Sequence, residues 1–109
     1  MTHDYQDRVS LEMASIVASG LPAHPEWVTL ARANLDRWTQ RNHDAPGLLR
    51  CYGEWRALLE LPIPEIAAIL TARTDEGQRL RSNSPFVGVL SPREVWDIKR
   101  RLRDDAAAT

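Results

Sequence analysis

Cysteine is almost missing from this sequence: Cys51 stands alone in 109 residues. A lone thiol excludes an internal disulfide framework and suits a reducing compartment. Lysine is equally scarce, with Lys99 the single one among 14 basic residues. The rest are arginines, which favour bidentate ion pairs over point-charge contacts. Acidic residues number 15, so the net charge is −1. A balance this close to zero supplies no overall field to draw the chain to nucleic acid or an anionic membrane. No apolar run approaches the roughly 18 residues of a membrane span. The opening Met-Thr-His-Asp-Tyr-Gln-Asp is polar and acidic, unlike a secretory leader, so the expected location is cytoplasmic, with no membrane partner. Alternating β-branched segments, internal repeats and low-complexity runs are also missing. So are glycine-rich phosphate loops, nucleophile elbows and dinucleotide fingerprints.

What is present is helical periodicity. Hydrophobic residues make up 43% of the chain and charged ones 27%, which suits a soluble domain able to bury a core without staples. Tyr5, Val9, Met13, Ile16 and Val17 mark one face of a helix from residue 4 to about 19, with Asp4 and Arg8 spaced as a pair. Gly20 is placed for a left-handed closing position. Pro25 opens a second helix striped by Trp27, Leu30, Ala31, Asn34, Leu35 and Trp38. Asp44 is the expected N-cap of a third, from about Ala45 to Leu61. Its apolar face is Leu48, Tyr52, Trp55 and Leu59, widened by Cys51 and Leu58, and Gly53 weakens it unless a neighbouring backbone uses the space. A nearly all-apolar fourth helix runs from Pro64 to about Ala72 and reads as central. A fifth, Asp75 to Ser82, reads as peripheral, capped by Thr74 or Asp75 and carrying an Asp75–Arg79 pair. Ser91-Pro-Arg-Glu94 is a capping box with proline at the first helical position. It starts a sixth helix lined by Val95, Ile98 and Leu102, with a fraying tail from about residue 104. The expectation is an all-α fold, a compact array of five to six short helices forming one domain over residues 1–109.

Between the last two helices, Ser82-Asn-Ser-Pro-Phe-Val-Gly-Val-Leu-Ser-Pro92 leaves the helical pattern yet stays apolar. Phe86, the only phenylalanine, lies between two Ser-Pro steps, and a solvated loop has no need of it. It packs either on the chain's own helices or on another molecule.

Chemistry-bearing clusters are sparse. His3, His24 and His43 are isolated, without a second ligand one turn away, so no metal site is expected. His43-Asp44 reads as a polar helix junction rather than an acid–base pair, and Cys51 as a small buried hydrophobe. No cofactor motif and no enzyme activity are indicated. From Arg73 to Arg103 the chain carries eight basic and four acidic residues. Arg93, Lys99, Arg100, Arg101 and Arg103 fall on the final helix beside Trp96, a set able to hold phosphates and stack a base. Asp97, one turn before Arg100 and Arg101, is spaced to neutralise them. A helix-turn-helix over Pro64 to Leu80, reading bases through Gln78, Arg79 and Arg81, lacks a tight-turn pattern and is weakened by Gly77.

The run from Asp75 to Glu94, and with it Ala33-Asn-Leu-Asp-Arg-Trp38 and Glu54-Trp-Arg-Ala-Leu-Leu59, resembles a group of small bacterial helical proteins. These are similar to the helical partners of two-gene toxin–antitoxin operons. The resemblance spans most of the chain and is most specific from Ser82 to Glu94. It implies a non-enzymatic protein–protein interaction module, an antitoxin-like inhibitor occluding a neighbouring toxin. The partner would be kinase-like or nucleotidyltransferase-like, joined in a hetero-oligomer; self-association into a homo-oligomer is the structural alternative. It identifies no catalytic residue. On this reading the contact residues are Phe86 as apolar anchor with Arg79, Arg81, Arg93, Trp96 and Arg100 around it, since Trp and Arg most often anchor interfaces. The alternative is a nucleic-acid-binding transcriptional regulator using the basic last helix.

Overall fold

Six helices in series, with no strand among the described residues, make up the computed structural model, which describes the backbone of residues 2–108 and the side chains of residues 5–105. They are α1 (Thr2–Gly20), α2 (Glu26–Arg41), α3 (Pro46–Leu58), α4 (Ile63–Leu70), α5 (Asp75–Arg81) and α6 (Pro92–Ala108). The chain is therefore a small all-α domain. The expected Asp4–Arg8 pair, the His3 side chain and Thr109 lie outside the described residues.

α1 packs against α4, α5 and α6, while α2 packs mainly against α3. The core runs through both groups. Val9, Ala14 and Val17 of α1 join Ala31 and Leu35 of α2, Tyr52 and Trp55 of α3, Ile66 and Leu70 of α4, and Ile98 and Leu102 of α6. Ile16, Leu30 and Leu48 of the expected stripes stay out of it, and Ile16 and Leu48 are exposed. In α1 the buried face is rotated toward Ala14, whose small side chain suits close helix approach, so Ile16 falls at the edge.

Helix ends depart from expectation for local reasons. Gly20 is not left-handed; Gly88 is the only glycine with positive φ among the described residues. Gly20 is the last residue of α1, and a Cβ there would meet the Trp27 ring at 2.5 Å. Trp27 in turn stacks on His24, with centroids 4.6 Å apart. α3 is capped by Ala45 rather than Asp44, because Pro46 fixes the first turn one residue later. It ends at Leu58, since Pro62 disfavours helical backbone before it, and the chain tightens through Glu60 N–H to Ala57 O and Leu61 N–H to Leu58 O. Arg32 Nη2 donates to the Leu59 carbonyl at 3.0 Å, tying α2 to this terminus.

α5 is not peripheral. Gly77, Leu80 and Arg81 are buried, and Thr74 Oγ1 accepts the Gly77 N–H at 3.0 Å as the cap. The glycine that weakens α5 as a helix former is what lets it dock: a Cβ at Gly77 would stand 2.4 Å from the Ala72 carbonyl oxygen. Arg79 pairs with Glu54 and Glu76 rather than Asp75. The Ser91 capping box forms as expected. Glu94 N–H donates to Ser91 Oγ at 3.1 Å, and Ser91 N–H donates to the Glu94 carboxylate at 2.9 Å. α6 continues past residue 104 to Ala108, because alanine is the strongest helix former.

Two glycines on exposed and buried faces give opposite expectations. Nothing stands within 4 Å of a Cβ built at Gly53, so Gly53→Ala should raise stability by about 0.5–1 kcal/mol in urea denaturation. Gly77→Ala should instead lower it by about 2 kcal/mol or more, because the carbonyl it meets is backbone. The α6 cap predicts acid sensitivity. The Ser91 N–H holds the Glu94 carboxyl below its ordinary range. A depressed folded pKa contributes stability above the unfolded value, about 4.3, that is lost as pH falls through the folded one. Glu94→Gln should therefore flatten the loss of stability below that pH, read as melting temperature against pH.

Candidate functional site

The Ser82–Pro92 segment folds inward. Phe86 is only 5% exposed and meets Trp55 edge-on, with centroids 6.2 Å apart at 79°. Trp55 is fully buried and its Nε1–H donates to the Leu80 carbonyl at 3.0 Å, so one side chain holds both the end of α5 and the loop. From α2, Asn34 Nδ2 donates to the Pro85 carbonyl at 2.8 Å and the Val87 carbonyl at 2.9 Å. Arg37 donates to the Asn34 carbonyl oxygen, which leaves no polar atom of this buried amide unpaired. A turn closed by Val89 N–H to Phe86 O at 3.3 Å reverses the chain, with Gly88 at φ 94° in its third position, where a side chain would be strained. Val87, at that turn, is turned out and 63% exposed.

Between this loop, α1 and the first turns of α6 lies a groove of about 680 Å³. Met13, Ala14, Val17, Leu70, Phe86 and Leu90 make it predominantly apolar, and Trp96 and Lys99 lie along it. Trp96 is 54% exposed, and the Arg100 guanidinium lies over its ring, 4.8 Å from the centroid.

Arg81 also lines the groove, and its position corrects the expectation of a rim residue. Its side chain is buried, and Nη1 donates to the Leu70 carbonyl at 3.2 Å and the Ala72 carbonyl at 2.6 Å. It thereby satisfies the Leu70 carbonyl left open at the end of α4 and the Ala72 carbonyl just beyond it, where a cation is also favoured by the helix dipole. Nε has no hydrogen-bond partner, and no carboxylate among the described residues lies within ion-pair distance. Burial pushes its pKa below the ordinary arginine value, with Asp7 pulling the other way.

The six expected contact residues thus divide. Phe86 and Arg81 are interior and line the groove, so the Phe86 ring packs on the chain's own helices, the first of its two expected alternatives. Trp96, Arg93 and Arg100 are exposed on α6. Arg79 stands apart from the groove, its guanidinium occupied by Glu54 and Glu76. With Arg81 buried and Arg79 paired, α5 does not present a base-reading face. Asp97 forms no ion pair with Arg100 or Arg101: Arg101 reaches Glu12 of α1 at 2.7 Å. Cys51 is buried, and desolvation, with Glu54 nearby, pushes its thiol pKa up, against nucleophilic use. No group of three His, Cys, Asp or Glu side chains able to hold a metal occurs among the described residues, and no described helix is long and apolar enough to cross a membrane. Sequence reasoning placed Asn34 on the stripe without a role; the signal was a polar side chain at a core position.

No protein-family model, curated protein or solved structure matches the chain.

Replacing Arg81 with Met keeps volume but leaves the Leu70 and Ala72 carbonyls without their donor. Stability should fall by about 1–3 kcal/mol in chemical denaturation, the relief of a buried charge offsetting part of the loss. Arg81→Lys, with a point charge in place of the fork, should recover only part of it.

Proposed function

We propose that this protein is a non-enzymatic protein–protein interaction module, and within that class an antitoxin-like inhibitor that binds and occludes a neighbouring enzyme toxin. The observation that carries the reading is Trp96, a large aromatic more than half exposed at the start of α6, with Arg100 held against its ring. Val87 stands out beside the same groove, so two large apolar side chains face solvent at its border. Exposed aromatics with arginine neighbours are the composition of binding hot spots. Lys99 lies along the groove and Arg100 covers the Trp96 ring, with Arg93 exposed on the same helix, and the expected partner face is apolar at its centre and acidic around it. The mechanism is occlusion: α6 and the loop tip lie across the toxin's substrate or nucleotide pocket, and the inhibitor needs no chemistry of its own.

The nucleic-acid reading rests on the same helix. Arg93, Lys99, Arg100 and Arg103 are exposed and have no ion-pair partner among the described residues. It requires an affinity that falls linearly on a log–log plot against salt concentration.

The test is co-expression with the protein encoded beside this one, followed by calorimetric titration of the purified pair. Trp96→Ala, at an exposed site, should leave the melting temperature within about 2 °C and weaken the complex by at least tenfold. Tight binding unchanged by Trp96→Ala would move the interface elsewhere. Promoter DNA bound at low salt, with no protein complex formed, would favour the regulator.

A further inference from the structure

The final helix sorts its charges to two sides, and only one of them borders the groove. Pro92, Trp96 and Lys99 line it, and their steps of four and three residues make them one row along α6. Arg103, four residues further on, continues that row, with Arg100 beside it over the Trp96 ring. Glu94, Asp97 and Asp104 fall on the other flank, in a row with Arg101, which reaches Glu12 of α1, a residue outside the groove. No carboxylate is among the described residues that line the groove. Lys99, Arg100 and Arg103 are exposed and have no ion-pair partner among the described residues. The facing wall is a matching row on α1, Ser10, Met13, Ala14 and Val17, and Leu70, Phe86 and Leu90 complete the apolar lining. The wall rows run over residues 10–17 and 92–99, so each covers two helical turns, about 10 Å along its axis.

A cleft two turns long, apolar inside and cationic along its α6 edge, selects one kind of occupant. The geometry points to the groove as the seat of an amphipathic helix of the partner protein, with apolar side chains at i, i+4 and i+7 in the cleft and carboxylates along the side that meets Lys99, Arg100 and Arg103. This rests on the interaction-module reading and gives the partner segment its chemistry. A helix satisfies its own backbone hydrogen bonds, so it enters an apolar cleft without stranded N–H or C=O groups. An extended peptide would need a strand edge to pair with, and no strand occurs among the described residues. A second copy of this chain is opposed by charge, because in a two-fold contact the α6 edge would meet itself, cation against cation. Arg81, although it lines the groove, spends its guanidinium on the Leu70 and Ala72 carbonyls and plays no part.

The probes are hydrocarbon-stapled helical peptides with leucine at i, i+4 and i+7, one flanked by glutamate and the other by lysine. Titrated by calorimetry into the full chain, the glutamate peptide is expected to bind saturably and one-to-one, with the lysine peptide at least tenfold weaker. A glutamate peptide of the same composition with its leucines scattered around the helix should also bind at least tenfold more weakly. Lys99→Glu combined with Arg103→Glu, at two exposed positions and with folding checked by circular dichroism, should reverse the charge preference. If that variant does not fold, the three peptides on the unaltered protein decide alone. Equal binding of the glutamate and lysine peptides, or no saturable binding of either at millimolar peptide, would overturn the proposal. Displacement of the protein encoded beside this one by the striped glutamate peptide would support it. A complex that persists under saturating peptide would overturn it and leave the interaction-module reading standing, with the contact elsewhere. Peptide binding without any such complex would support the helix site and count against the antitoxin reading.

Discussion

The indole of Trp55 is the interaction on which the rest of the structure leans. It is fully buried, it donates to the Leu80 carbonyl, and Phe86 meets it edge-on. A tryptophan in a core is tolerated only where its N–H finds an acceptor, and here the acceptor lies near the end of α5. That single requirement locks α3 to α5. It also gives the following loop an aromatic surface on which to close. Asn34 then fixes the loop from the α2 side through two carbonyls on either side of Phe86. An extended segment without a ladder must find partners for its buried backbone groups, and a side-chain amide provides two of them.

Once the loop is anchored, the groove follows. With Phe86 drawn inward, Val87 at the turn points out, and the chain emerges at Ser91 with its cap already formed. The capping box sets the start of α6, and Tyr5 Oη–H to the Lys99 carbonyl at 2.9 Å and Arg101 to Glu12 hold that helix to α1. The space left between α1, the loop and α6 is consequently a product of three fixed elements. Arg81 closes one part of it because its charge is already committed to the end of α4.

Much of the architecture was legible before any coordinates. All six helices appear near their expected places, because apolar spacing and proline or glycine punctuation act within a few residues of one another. The Ser91–Glu94 box was read in full, since both of its hydrogen bonds are local. Misreadings came where a distant contact overrode a local preference. Gly77 looked like a defect in a weak helix, and it is the contact point for the Ala72 carbonyl. Arg79 looked ready for Asp75, and Glu54, far along the chain, offered a better fork. The candidate contact residues were divided for the same reason: composition marks Trp and Arg as interface types without saying which of them the fold has already used.

By itself the sequence determined an all-helical chain, its punctuation, the α6 cap and the lack of an internal disulfide, all of which depend on composition and on neighbours within one or two turns. Tertiary structure alone decided the direction of each critical side chain. It sent Phe86 in and Val87 out, buried Arg81 against the Leu70 and Ala72 carbonyls, left Trp96 in solvent, and opened the groove that joins them. Those outcomes depend on which elements meet, and a helical period does not encode which of several apolar faces a distant loop will find.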